Sequence, residues 1–207
     1  MKAPAGLAGD GASHAPALET YIVTGATQGL GLATARALAA RPSHHVVLAV
    51  RDIERGRSAA SIGPNVTALR LDLSSLGDIR RFVAGWSGTV AGLVNNAGVQ
   101  ITNGTRLTRD GYEETFAVNY LGAVALALGL LPHLAGGRVL FIGSGTHDPG
   151  NRMAALFGFR GAQFTSIEAA ARGEVADTAS HRQAGLDRYA TSKFLATVAA
   201  VELARRY

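Results

Sequence analysis

The stretch RYATSKF holds a tyrosine and a lysine four residues apart, Tyr189 and Lys193. At that spacing two residues on a helix share a face. A phenol is a poor acid or base near neutrality. An ammonium beside it favours the phenolate and turns the pair into a usable proton donor and acceptor. Lysine's compact, rotating ammonium can do this while also hydrogen-bonding a sugar hydroxyl, where a planar guanidinium is less adaptable. The chain uses arginine almost everywhere: of its 20 basic residues only two are lysines, and the other, Lys2, lies near the amino terminus. The lysine at 193 is therefore read as a functional choice, against the plainer reading of a surface lysine. Ser144 stands just past the apolar run GRVLFIGSG. Most such serines cap or turn, but the carboxyl ends of parallel strands are also where ligands bind. Asn119 interrupts an otherwise apolar helical run, where asparagine is unfavourable and a buried amide needs partners. By itself it reads as a satisfied core asparagine.

A second group of residues suits an anionic ligand. TGATQGLG carries Gly25, Gly29 and Gly31 between a β-branched apolar run and a helical pattern. Such a turn lets backbone approach a phosphate, and the free N–H groups at the helix start face it. In that context nucleotide binding outweighs a plain glycine turn. The next apolar run ends LAVRD. An acidic residue at this tip accepts the ribose hydroxyls of NAD, whereas the guanidinium of Arg51 suits a 2′-phosphate. NADP is favoured, and Asp52 keeps NAD in play. Asp72, in LRLDLSS, either bonds an adenine amino group or caps the helix that follows. Asn95 to Gly98, NNAG, orders a turn beside a cofactor or simply stabilises one.

The elements that must position these residues alternate. TYIVTGA, HHVVLAVRD, NVTALRLDL, VAGLVNNAG and GRVLFIGSG read as strands. Between them lie helical patterns at GLGLATARALAARP, IERGRSAAS, SSLGDIRRFVAGW and DGYEETFAVNYLGAVALALGLLPHL. Strands alternating with helices predict an α/β parallel sheet with helices on both faces, and continuous apolar strands fit burial on both sides. From Thr146 to Leu186 the periodicity fades except for TSIEAAARGE, which predicts an inserted segment before a last helix in LDRYATSKFLATVAAVELARRY.

Composition excludes several classes. There are no cysteines, hence no disulfide, thiolate nucleophile or cysteine metal site. The six histidines show no ligand spacing, so no metal is expected. The net charge of +5 is modest and the arginines are scattered, so nucleic-acid binding is not expected. The apolar run Leu121–Leu131 is too short to span a membrane and reads as a buried helix. Residues 1–18, rich in Gly, Ala and Pro, read as a flexible tail without a signal-peptide core.

TGATQGLG, LAVRD, LDLSS, NNAG, FAVNYLG, FIGSGTHDP and YATSK, in that order, resemble the short-chain dehydrogenase/reductase family, and most closely its retinol dehydrogenase and protochlorophyllide reductase-like branch. The resemblance covers Glu19 to the end of the chain. It implies a Rossmann-type doubly wound sheet of order 3-2-1-4-5 in a dinucleotide-binding domain over 19–207, with an inserted substrate-side segment at 146–186. It implies a catalytic tetrad of Asn119, Ser144, Tyr189 and Lys193. Tyr189 would exchange the proton with the carbonyl or alcohol oxygen, and Ser144 would polarise that oxygen. Lys193 would bind the nicotinamide ribose and tune Tyr189, and Asn119 would help hold a water linking Lys193 to solvent. The cofactor, NADP or alternatively NAD, would lie along Thr24, Gly25, Thr27, Gln28, Gly29, Leu30, Gly31, Arg51, Asp72, Leu73, Asn95, Ala97 and Gly98 as well as Tyr189 and Lys193. The implied function is an oxidoreductase interconverting an alcohol and a carbonyl compound, located in the cytoplasm; Phe157, Phe159 and Phe164 in the inserted segment suggest a small-molecule substrate of apolar character. The implied assembly is a homodimer or homotetramer paired through the fourth and last helices. Gly143 stands where the family pairs a second serine. Family members also continue past the last helix with two more strands and a substrate lid, so the chain is expected to be truncated or to have its fifth strand covered by a partner. The alternative is a catalytically weak nucleotide-binding module acting as a sensor or interaction protein.

Overall fold

A computed structural model describes residues 18–134, 136–175 and 180–207. The expected tail at 1–18 lies, except for Leu18, outside the described residues. Five strands form one parallel sheet: β1 (Glu19–Thr24), β2 (His44–Val50), β3 (Val66–Arg70), β4 (Gly92–Asn95) and β5 (Arg138–Phe141), in the order β3-β2-β1-β4-β5. This is the Rossmann-type order that the family resemblance implied.

Period-two alternation splits the strands between two cores. Ile22, Val47, Ala49 and Leu93 point to one face and pack with Ile79, Leu126 and Leu130. Val23, Val46, Leu48, Val50 and Val94 point to the other and pack with Ala35, Leu38 and Ile53. Helices α1 (Gly29–Ala39) and α2 (Ile53–Ala60) therefore cover one face, and α3 (Leu76–Ala84) covers part of the opposite one.

The fourth helical pattern is one continuous run, Glu114–His133, made of α4 (Glu114–Phe116), a π-helical turn (Ala117–Gly122), α5 (Ala123–Leu130) and a 3₁₀ turn (Leu131–His133). Its 20 residues and mean hydropathy of 1.6 would suffice by length and composition to cross a membrane. Its Val118, Leu126, Ala127 and Leu130 instead fill the core beside β1 and β4, as expected of a buried helix.

Two boundaries differ from the sequence pattern. The segment after β5 contains a 3₁₀ turn (Gly145–His147), the unanticipated α6 (Arg152–Leu156) and α7 (Ile167–Arg172). The last helix, α8 (His181–Arg206), begins five residues before Leu186. Ser180 caps it, its hydroxyl accepting from the Gln183 N–H at 3.2 Å. The polar first turn and Gly185 hide this start from a hydrophobic pattern. Gly185 is required there because a Cβ would run into the Ile101 carbonyl oxygen.

Candidate active site

The first βα turn is shaped by two glycines in the left-handed region, Gly25 at φ 63° and Gly29 at φ 56°. A Cβ at Gly25 would stand 2.8 Å from the Ala97 Cα, and one at Gly31 would run into the Asn96 amide. Asn96 holds this junction, its Nδ2 donating to the Thr24 and Gly25 carbonyl oxygens at 2.9 and 3.3 Å. Gln28 precedes α1 without a side-chain cap, and the first turn has no acidic residue. By contrast Asp52 caps α2, Ser75 caps α3 and Ser166 caps α7. The leading N–H groups and positive end of α1 are thus left for an anion.

This turn forms one wall of an open cleft of ≈ 460 Å³ at the carboxyl ends of the strands. The cleft takes in Gly25, Thr27, Gln28, Gly29, Leu30, Gly31, Arg51, Asp72, Leu73, Ala97 and Gly98 of the expected cofactor residues. Thr24 and Asn95 lie beneath it. The Thr24 hydroxyl accepts from the Asn96 and Ala97 N–H groups, both at 3.0 Å, and shapes the turn from inside. Asn95 is buried, and neither atom of its amide has a hydrogen-bond partner among the described residues.

At the far end of the cleft Arg51 is exposed, 4.0 Å from Glu114. Asp52 accepts from the Glu54 and Arg55 N–H groups, each at 3.1 Å, so its carboxylate is committed to starting α2. Arg55, which sequence reasoning passed over, also lines the cleft and donates to Gln28 Oε1 at 2.9 Å. Its signal was an arginine in the first turn of the helix after the second strand. Asp72 accepts from the Ser74 N–H and hydroxyl at 3.0 and 2.7 Å, while the cap of α3 falls to Ser75. Asn96, in the NNAG stretch, also lines the cleft, as do Val99 and Val118, which carry no distinctive sequence signal.

Beyond Gly98 the polar residues gather. A Cβ on Gly98 would stand 3.4 Å from Asn119 Oδ1 and 3.7 Å from Lys193 Nζ. Asn119 sits in the π turn, a helix irregularity that often marks function. Its Oδ1 accepts from the Val99 N–H at 2.7 Å, and its Nδ2 donates to the Val99 carbonyl oxygen at 2.9 Å and the Ser192 hydroxyl at 3.0 Å. Gly122 closes the turn against the backbone, since a Cβ there would run into the Leu73 carbonyl oxygen.

On α8, Lys193 donates to the Ile142 carbonyl oxygen at 2.8 Å, and its Nζ lies 5.8 Å from the centre of the Tyr189 ring. Burial holds the Lys193 pKa below the usual lysine value. Tyr189 is half-buried, its ring 6.0 Å from that of Phe159 in the inserted segment. Ser144 caps the 3₁₀ turn, its hydroxyl 3.0 Å from that of Thr146, and this turn packs against α8. Asn119, on the π turn, and Lys193, on α8, thus meet at Gly98 in the cleft wall, while Tyr189, one turn before Lys193, and Ser144, past the end of β5, are not among the cleft's lining residues.

A family model described as short chain dehydrogenase matches residues 19–158. Among curated relatives, a polyprenol dehydrogenase of Mus musculus is 40% identical over 154 residues, covering 66% of this chain and 45% of that protein. A chloroplastic protochlorophyllide reductase of Pisum sativum is 39% identical over 122 residues, covering 55% of this chain and 31% of that one. The chain spans less than half the length of these relatives. Among solved structures, an uncharacterized protein from Mycobacterium Paratuberculosis superimposes with a TM-score of 0.73 at 34% identity, over 92% of this chain and 63% of that one. A metagenomic short-chain oxidoreductase in complex with NADP gives a TM-score of 0.60 at 25% identity, over 90% of this chain and 77% of that one.

Proposed function

The chain belongs to the short chain dehydrogenase family, and we propose that it is an NADP(H)-dependent oxidoreductase interconverting an alcohol and a carbonyl compound. The observation that carries this reading is the meeting of Lys193 Nζ and Asn119 Oδ1 over Gly98, at the end of a cleft shaped for a dinucleotide.

The uncapped start of α1 suits a pyrophosphate, and Gly29 leaves open space above it, with nothing within 4 Å of a Cβ placed there. Arg51 and Arg55 together suit the 2′-phosphate that distinguishes NADP from NAD. Asp72 faces the cleft with lone pairs for the adenine amino group. When bound, the cofactor supplies or takes up the hydride. Tyr189 passes its phenolic proton to the carbonyl oxygen during reduction and takes it from the alcohol during oxidation. Lys193, held by the Ile142 carbonyl oxygen, keeps an ammonium beside that phenol and directs its other N–H groups to the ribose. The Ser144 hydroxyl polarises the reacting oxygen. Asn119 pins the Val99 backbone and Ser192, and so fixes the floor on which Lys193 rests.

Phe159 against Tyr189, and Phe164 with its ring 5.9 Å from that of Phe194, favour an apolar substrate body. The polyprenol dehydrogenase among the relatives supports the same preference. Pairing through the α4–α5 run and α8, in a dimer or tetramer, and a cytoplasmic location complete the reading.

NADPH oxidation over a panel of aliphatic and aromatic carbonyls tests it. Tyr189→Phe is expected to lower turnover by at least ~10²-fold while leaving NADPH binding unchanged. Tight NADPH binding by the wild-type protein without turnover of any panel member would point instead to a nucleotide-binding module.

A further inference from the structure

Two consecutive charged residues, Asp187 and Arg188, precede Tyr189 on α8, and both are buried. Buried charges persist only where partners and geometry compensate them, so each marks a constraint on the turn that presents the tyrosine. The Arg188 guanidinium donates to the Gly104 carbonyl oxygen at 2.7 Å, to the Thr105 hydroxyl at 3.2 Å and to the Gly173 carbonyl oxygen at 3.4 Å. Its Nε lies 3.6 Å from Glu113 Oε1. Glu113 is fully buried, and it is also the cap of α4: Oε2 accepts from the Phe116 N–H and Oε1 from the Thr115 hydroxyl, both at 2.8 Å. That cap starts the helical run that carries Asn119 six residues later.

The inserted segment closes over this pair. The Glu113 N–H donates to the Ala171 carbonyl oxygen at 2.7 Å, and Gly173, at φ 73°, lies where a Cβ would stand 2.6 Å from Glu113 Cγ. Asp187 binds the other half of the segment: it accepts from Arg160 at 3.1 and 2.7 Å and from Gln183 Nε2 at 2.9 Å. None of Glu113, Asp187 and Arg188 lines the cofactor cleft.

We propose that Glu113 and Arg188 form a positioning pair. It sets the distance and rotation between the α8 turn bearing Tyr189 and Lys193 and the π turn bearing Asn119, and it makes that alignment depend on the docked inserted segment. The inference rests on the oxidoreductase reading above.

Steady-state kinetics of the wild type, Glu113→Gln, Arg188→Lys and Arg188→Met test it, with circular dichroism to verify folding and fluorescence titration with NADPH to measure cofactor binding. Misplacement of a proton donor is expected to lower kcat by ~10–100-fold in Glu113→Gln and Arg188→Met. NADPH affinity and the substrate KM stay near wild type. Arg188→Lys recovers part of kcat, because an ammonium can still pair with Glu113 but cannot reproduce the fork to Gly104 and Gly173. A purely structural pair would lower thermal stability and leave the kcat of the folded variants unchanged, and that result overturns the proposal. Loss of NADPH affinity in parallel with kcat overturns it as well. If Arg188→Met does not fold, Glu113→Gln and Arg188→Lys decide the matter by the same criteria. Absence of turnover in the wild type, with NADPH bound, would instead remove the oxidoreductase reading and this inference with it.

Discussion

Lys193 is a cation placed where cations are costly. It is buried, and its ammonium is held by a single backbone carbonyl among the described protein groups. Burial lowers its pKa from the ordinary 10.5. Between the lowered value and 10.5 the unfolded chain binds more protons than the folded one. The stability of the fold therefore rises with pH across that window, and the cost of the buried charge is fully present below it. Lys193→Met should flatten this rise, as urea denaturation at about pH 8 and about pH 10 would reveal. The tyrosine–lysine spacing was legible in the sequence because helical geometry alone brings them together. The role of Asn119 in tying Val99 to Ser192 was not, because those partners lie 20 and 73 residues away. At the other end of the cleft, Arg51→Ala and Arg55→Ala are each expected to raise KM for NADPH by about tenfold, ~1.4 kcal/mol, with little effect on KM for NADH. A variant that weakens both cofactors equally would show that its arginine does not read the 2′-phosphate.

Helices here are placed as much by their glycines as by their apolar faces. Gly122 lets the π turn press on Leu73, and Gly185 lets α8 cross Ile101. Gly122→Ala and Gly185→Ala should each destabilise the fold by ~1–3 kcal/mol through overpacking, measured by chemical denaturation. Gly122→Ala should in addition weaken NADPH binding, since Leu73 is part of the cleft wall. An unaltered stability in either variant would mean that the backbone gives way at that crossing. Gly185 looks like a helix breaker in a sequence, and for that reason the early start of α8 was hidden, whereas the helical pattern ran through Gly122 and only its π turn went unread. α6 was hidden for another reason. Of its five residues only Ala154 is buried, while Met153 and Leu156 are exposed, so it carries no periodic signal.

Over the whole molecule, two cores share one sheet, and β5 forms its edge among the described residues. Leu140 on β5 is 47% exposed and borders an open groove with Tyr21 and Leu38. Edge strands with exposed apolar side chains template association. Leu140→Lys should therefore reduce concentration-dependent association in light scattering, and unchanged association would place the contact elsewhere. The alternation of strands and helices, the glycine turn, the tip of the second strand and the Tyr189–Lys193 pair were all written in the sequence, because each depends on residues close along the chain, while the strand order came from the family resemblance. Only the tertiary structure decided that Thr24 and Asn95 lie under the cleft and that Arg55 joins Arg51 in its wall. It alone brought Glu113, Gly173 and Arg188 together beside Tyr189. The physical reason is that burial and ion pairing are properties of segments distant in the chain, and no local period records which of them will meet.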